Sequence, residues 1–183
     1  MEVTEDIIRE VEKGNRKITL DLYHYSFNVL MSSAVRYKNH KEDQMEIVNN
    51  AFVKIVTNIN SYKPGTAYFS WIKTIVKREI IDDFRKNKKY KELFKMSDSD
   101  AVQDSVVDPD VYESMDSEAA FQMLNVLPPA TKLVFNLYAI EGYKSKEIVE
   151  ELNISYETVK WHIKQARKKL KRLIVENKIS LQQ

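Results

Sequence analysis

An all-α fold, built as two small helical domains joined by an acidic linker, is what this 183-residue sequence predicts, and three observations predict it. Glycine and proline are scarce, at three and four residues, and Gly14, Gly65 and Gly142 each lie between apolar-periodic segments, where helices break. Apolar residues recur at the three-to-four-residue spacing of a helix face. Charge comes in blocks: residues 1–95 carry 18 basic and 13 acidic side chains, residues 96–118 none and eight, and residues 119–183 eleven and six. The net charge of +2 therefore hides two basic units flanking an acidic segment. A chain of this length holds either one ordinary core or two small ones, and the pattern favours two.

The first unit, residues 1–95, reads as several amphipathic helices. Leu20, Tyr23, Phe27, Leu30 and Ala34 are spaced to form one face, and Ile47, Ala51, Ile55 and Ile59 another. After a break at Lys63-Pro64-Gly65, a third stripe runs through Ile72, Ile75, Val76, Ile80 and Phe84. It leads into a run of five positive charges between Arg85 and Lys91.

Residues 96–118 hold eight acidic side chains and no Lys or Arg. That composition offers little packing surface and repels itself, so the segment is expected to be a flexible linker, with room for a short helix. The second unit, residues 119–183, passes Pro128-Pro129, which suit a helix start, and continues through Leu133, Leu137 and Ile140 until Gly142 stops that helix.

A helix-turn-helix follows. Ser145 can cap a short helix with Ile148, Val149 and Leu152 inward; Asn153-Ile154-Ser155 makes a tight turn, and Ser155 can cap the next helix. Glu147 and Glu157 sit in first turns, where the helix dipole favours them. At about 100° per residue, Val159, Ile163, Ala166, Leu170, Leu173 and Ile174 form one stripe, with Glu157, Trp161, Lys164 and Lys168 opposite. Trp161 has two readings, packing against a neighbouring helix or lying on a DNA face, and the surrounding Lys160, Lys164, Gln165 and Lys168 favour the second. Six positive charges between Lys164 and Arg172 form either a solvated face or a phosphate-binding one; placed after such a turn, they favour phosphates.

Several classes of chemistry are disfavoured. Cysteine is absent, which removes disulfides and thiolate metal sites and suits a reducing cytoplasm. The three histidines, His24, His40 and His162, are too scattered in sequence to suggest a metal cluster. The N-terminus is acidic, and no apolar run exceeds about four residues against the roughly 18 of a membrane span, so no signal peptide, membrane insertion or cofactor is expected.

The segment Leu127-Pro128-Pro129, Val134-Phe135, Leu137-Tyr138, Glu141-Gly142-Tyr143, Glu147-Ile148-Val149 and Ser155 to Lys160, through Ala166-Arg167 and Leu170, resembles region four of the bacterial sigma factors. Trp71-Ile72, Ile75, Ile81-Asp82 and Arg85 are similar to the spacing of the family's region two, and Glu46-Ile47-Val48 with Ala51-Phe52 resembles its polymerase-binding helix. Asn49-Asn50 stands where that helix usually carries Gln-Glu, Arg78 where the family favours Asn, and Asn153 replaces the frequent turn glycine. With an acidic linker in place of a region three, the chain resembles the extracytoplasmic-function class.

The resemblance implies a non-enzymatic sigma factor that binds core RNA polymerase and promoter DNA, with an anti-sigma partner by family habit. Residues 1–95 would bind polymerase and the minus-ten element, residues 119–183 the minus-thirty-five element. The candidate polymerase contacts are Glu46, Asn49, Asn50 and Lys54, on the solvent side of their helix. For duplex contact they are Ser155, Tyr156, Glu157, Thr158, Lys160, Trp161, Lys164, Gln165, Arg167 and Lys168. For the melted strand they are Asn60, Ser61, Tyr62, Lys63, Tyr68, Trp71, Lys73, Lys77 and Arg78; aromatics among positive charges suit unstacked bases. The Pro-Gly break is expected to leave Tyr62 and Tyr68 free of the helical stripe, while Phe69 anchors its helix to the core. Two rivals remain. One is a one-component regulator with an N-terminal sensor, which has no reason to carry the Trp71-to-Arg85 spacing. The other is an enzyme acting on nucleic acid with Asp82 and Asp83 as metal ligands, whose side chains diverge by about 100° on a helix with no third ligand evident.

Overall fold

A computed structural model describes residues 1–86 and 123–180, the last five without their side chains. The segment expected to form the acidic linker lies outside the described residues. Contacts divide the chain into two compact units, Met1–Phe84 and Arg85–Gln183, and the described residues form helices and no strands.

Helix α1, Glu5–Glu12, opens with Glu5 and Asp6 in its first turn, where the dipole favours acids. It stops at Gly14, which takes φ 77° and donates its N–H to Val11 O at 2.9 Å. Asn15 then caps α2, Arg16–Ala34, by accepting from Ile18 N at 3.3 Å. Helix α3 is Lys41–Thr57, a 3-10 turn spans Ile59–Ser61, and α4 is Tyr68–Lys86.

Ile47, Ala51, Ile55 and Ile59 are buried as expected, and so are Ile72, Val76, Ile80 and Phe84 of the α4 stripe, whereas Ile75 is half-buried. The α2 face is the expected one at Leu30 and Ala34 but not before them. Leu22, Ser26, Leu30, Ser33 and Ala34 point inward, Tyr23 and Phe27 are half-buried, and Leu20 is 55% exposed. Serines occupy two core positions, which weakens the apolar signal of the true stripe. Each serine meets its need inside the helix, Ser26 donating to Leu22 O at 2.8 Å and Ser33 to Val29 O at 3.0 Å.

In the second unit α5, Pro129–Ala139, has its first turn at Pro128-Pro129 as expected. Ala130 through Leu137 are buried without a gap, so this helix is enclosed on all sides rather than amphipathic. Ile140 lies past its end and is exposed. Gly142, at φ 75°, turns the chain, and Tyr143 N closes the turn on Leu137 O at 2.9 Å. Leu124, Leu127, Phe135, Ala166 and Leu170 form one core cluster.

Helices α6, Ser145–Leu152, and α7, Tyr156–Ser180, make the helix-turn-helix. Lys144, not Ser145, is the N-cap residue of α6, and its backbone N–H donates to the Glu147 carboxylate at 2.8 Å. That bond is the N3 half of a capping box, in which the carboxylate satisfies the N-cap N–H; a serine hydroxyl at the N-cap would have satisfied the N3 N–H instead. Asn153 sits in the left-handed region at φ 51°, ψ 49°, a conformation that asparagine tolerates and β-branched residues do not. Asn153→Gly should hold or raise stability, whereas Asn153→Val should lower it by about 1–2 kcal/mol. Urea unfolding monitored by circular dichroism checks this, and equal midpoints for the two variants would show that the turn does not require the left-handed backbone.

Candidate nucleic-acid interface

Ser155 caps α7 as expected, accepting from Thr158 N at 3.1 Å. The Thr158 hydroxyl lies 2.8 Å from Ser155 Oγ, and the residue is buried. Thr158 therefore belongs to the cap and the core, and the expectation that it faces DNA is corrected. Trp161 is half-buried, its ring edge-on to His162 at 4.9 Å, and its indole nitrogen is enclosed with no hydrogen-bond partner among the described residues. The tryptophan lies at the border of the packed arc rather than opposite it. The arc is wide because α7 packs on both α5 and α6, which draws in Thr158 and His162 beside the expected stripe.

Tyr156, Glu157, Lys160 and Lys168 remain exposed, with Lys164, Gln165 and Arg167 half-buried at the edges. Lys160 Nζ lies 6.0 Å from the Tyr156 ring centre and the Arg167 guanidinium 5.5 Å from that of Tyr138. Such contacts steer the stems of these cations without using up their charge. The face is basic, with one exposed aromatic, Tyr156, at the start of the helix.

In the first unit the loop aromatics depart from expectation. Tyr62 and Tyr68 are buried. The Tyr62 hydroxyl donates to Thr66 O at 2.7 Å, and its ring meets Tyr68 at 5.3 Å and Trp71 at 5.4 Å. Ser26 gives its own proton to Leu22 O, so the Tyr68 hydroxyl, 2.8 Å away, is the donor in that pair. Burial pushes the Tyr68 phenol up to about 12. The expectation that these two tyrosines stand free of the stripe is overturned: Tyr68 lies four residues before Ile72 and simply extends the α4 stripe by a turn, a spacing that was present to be read. Trp71 is half-buried among them. Phe69, expected in the core, is 38% exposed with its ring 4.9 Å from Tyr25. Asn60, Ser61, Lys63, Lys73 and Arg78 are exposed and Lys77 half-buried.

On α3, Glu46, Asn49 and Asn50 are exposed as expected, and the Tyr23 hydroxyl donates to Asn49 Oδ1 at 3.2 Å. Lys54 is corrected. Its ammonium pairs with Glu79 at 2.6 Å and Asp82 at 3.0 Å. Burial pulls the Lys54 ammonium down, but the carboxylates of Glu79 and Asp82 outweigh it and leave it above the ordinary lysine value. Asp83 pairs with Lys38, so the two adjacent aspartates serve as ion-pair partners. Among the described residues no group of three His, Cys, Asp or Glu side chains could hold a metal.

Two buried cation-forming groups escaped the sequence reading. Lys132, 1% exposed, donates to Asn125 Oδ1 at 2.8 Å, and burial pulls it down to about 8. His162 is buried with Nδ1 2.9 Å from Thr131 Oγ1, and burial holds it down at about 4. Its position three residues after Val159 and one before Ile163 was the available signal.

These two units, one ending in a helix-turn-helix with an exposed basic face, define a helical DNA-binding protein. The sequence profile of the family described as "ECF sigma factor" matches residues 1–176, and the chain belongs to that family. It is therefore a factor that binds core RNA polymerase and directs promoter-specific initiation; the match spans the N-terminal unit, which leaves no separate sensor domain there. Among similar proteins are two from Bacillus subtilis (strain 168). RNA polymerase sigma factor YlaC is 24% identical over 86% of this chain and 92% of its own, and RNA polymerase sigma factor SigZ is 28% identical over 84% of each. The sigma factor RpoE of Bartonella quintana, solved in complex with the anti-sigma factor NepR, aligns at a TM-score of 0.47 and 20% identity, over 84% of this chain and 96% of that one. No described helix is long and apolar enough to cross a membrane.

The buried histidine makes stability depend on pH. Its folded value of about 4 lies below the ordinary 6.5 of the unfolded chain, so the unfolded state binds more protons between the two. Stability is thus held above 6.5 and lost as pH falls towards 4, by at most about 3 kcal/mol. Melting temperatures of wild type and His162→Gln should converge as pH drops from 7 to 5; parallel curves would mean that His162 is not buried neutral.

Proposed function

We propose that the two units divide promoter recognition between them. Residues 1–95 dock on core polymerase through the α3 side bearing Glu46, Asn49 and Asn50, and receive the melted minus-ten strand. Residues 119–183 read the minus-thirty-five element as duplex, with residues 96–118 joining the units. The observation that carries this reading is the exposed row Tyr156, Glu157, Lys160 and Lys168 on the second helix of the helix-turn-helix. A helix of this kind enters the major groove with its solvent face towards bases and phosphates. Lys164, Gln165 and Arg167 flank the row, and Ser155 and Trp161 border it.

For the melted strand, the exposed Asn60, Ser61 and Lys63 before α4 offer polar contacts, and Lys73, Lys77 and Arg78 supply positive charge along α4. Phe69 takes the stacking role that the buried Tyr62 and Tyr68 cannot fill. The protein works without a catalytic step or cofactor, acts in the cytoplasm, and is restrained by an anti-sigma protein, a partner implied by membership of the family.

Holoenzyme reconstituted with the full chain, on a promoter selected by wild type from a random library, tests both surfaces. The double variant Lys160→Ala/Lys168→Ala should weaken binding to different promoters alike and reduce the slope of log affinity against log salt by about two. An unchanged slope removes this face from the DNA interface. Phe69→Ala should lower permanganate-detected opening about five- to 150-fold, the loss of one base stack worth roughly 1–3 kcal/mol. Normal opening would mean that the strand lies elsewhere.

A further inference from the structure

Helix α4 is polarised by charge. At about 100° per residue Glu79, Asp82 and Asp83 share one side and Lys73 and Lys77 lie opposite, while Arg78 borders the acidic side next to Asp82. The acidic side is answered by two lysines from other parts of the first unit. Lys54 of α3 reaches Glu79 at 2.6 Å and Asp82 at 3.0 Å, and Lys38, from the connection between α2 and α3, pairs with Asp83 while lying 5.2 Å from the Phe84 ring centre. The Glu79 side chain is 4% exposed, against 41% for Lys54. A carboxylate so enclosed requires its cation, because an uncompensated buried charge drives the surrounding elements apart or takes up a proton.

Lys54 also continues the row of Glu46 and Asn50 at four-residue steps along α3. It is the member of that row which turns from solvent to α4. We infer that Lys54 is a positioning residue for strand opening: by bridging Glu79 and Asp82 it fixes the strand-facing side of α4 relative to the polymerase-docking side of α3. The inference rests on the division of surfaces proposed above. It places Lys54 between the two surfaces and in contact with neither polymerase nor DNA.

The test uses holoenzyme with the full chain carrying Lys54→Met or Lys54→Arg, at a temperature where circular dichroism shows each variant folded. Affinity for core enzyme is read from the anisotropy of labelled factor. Opening is read by permanganate on a duplex promoter and on the same promoter with a premelted bubble. Lys54→Met should keep core affinity within about twofold and open the duplex about tenfold less, with the bubble restoring the yield. Lys54→Arg should open the duplex like wild type, since a guanidinium can bridge both carboxylates. Should Lys54→Met fail to fold, Lys54→Met/Glu79→Gln/Asp82→Asn removes the stranded charges and should show the same defect. A fall of tenfold or more in core affinity, unrelieved by the bubble, would place Lys54 on the polymerase and overturn the inference. So would wild-type opening in a folded variant lacking the ion pair. Failure of the wild-type chain to bind core or open the promoter would instead remove the division of surfaces itself.

Discussion

Helix α5 faces no water along Ala130–Leu137, and the second unit is organised by that enclosure. Every polar group the helix carries has to be answered internally. Thr131 meets His162 of α7, and Lys132 reaches back to Asn125. Helices α6 and α7 pack on it, and Leu124, Leu127 and Asn125 close on Phe135 and Lys132 from the segment before it. The left-handed Asn153 gives the turn that lets both helices pack on α5 and on each other. The outward side of α7 is what remains after that packing, so the basic row is aimed by the inner helix.

Electrostatics separates structure from function in both units. Acids that touch the body of the protein are answered locally: Glu79, Asp82 and Asp83 pair with Lys54 and Lys38, and Glu147 accepts a hydrogen bond from the backbone N–H of Lys144. Exposed cations such as Lys63, Lys73, Lys160 and Lys168 carry the positive field of the surface. A polyanion approaching these faces meets charge on flexible stems, which suits phosphate contact.

The family, the helical class and the helix-turn-helix were legible in the sequence. Each depends on spacing along one helix or on turn chemistry: the Pro128-Pro129 start, Gly142, Asn153, Ser155, and the α3 and α4 stripes. The α2 face was misread because Ser26 and Ser33 occupy its core and satisfy themselves on their own backbone, so that hydrophobicity drew the eye to Leu20, Tyr23 and Phe27. Tyr68 could have been found as one more step of the α4 stripe.

Local pattern thus determined which segments are helices, where they stop, and which broad surface of each carries charge. Packing between segments distant in sequence decided the rest. Lys54 looked like a solvent lysine until α4 brought Glu79 and Asp82 to it, 25 and 28 residues further along the chain. His162 was drawn in by Thr131 of α5, Thr158 by the Ser155 cap and Trp161 by His162, and Phe69 was left outside beside Tyr25. A helix's own periodicity gives angles about its axis; it does not say how many neighbours that helix has, and the width of the buried arc depends on their number.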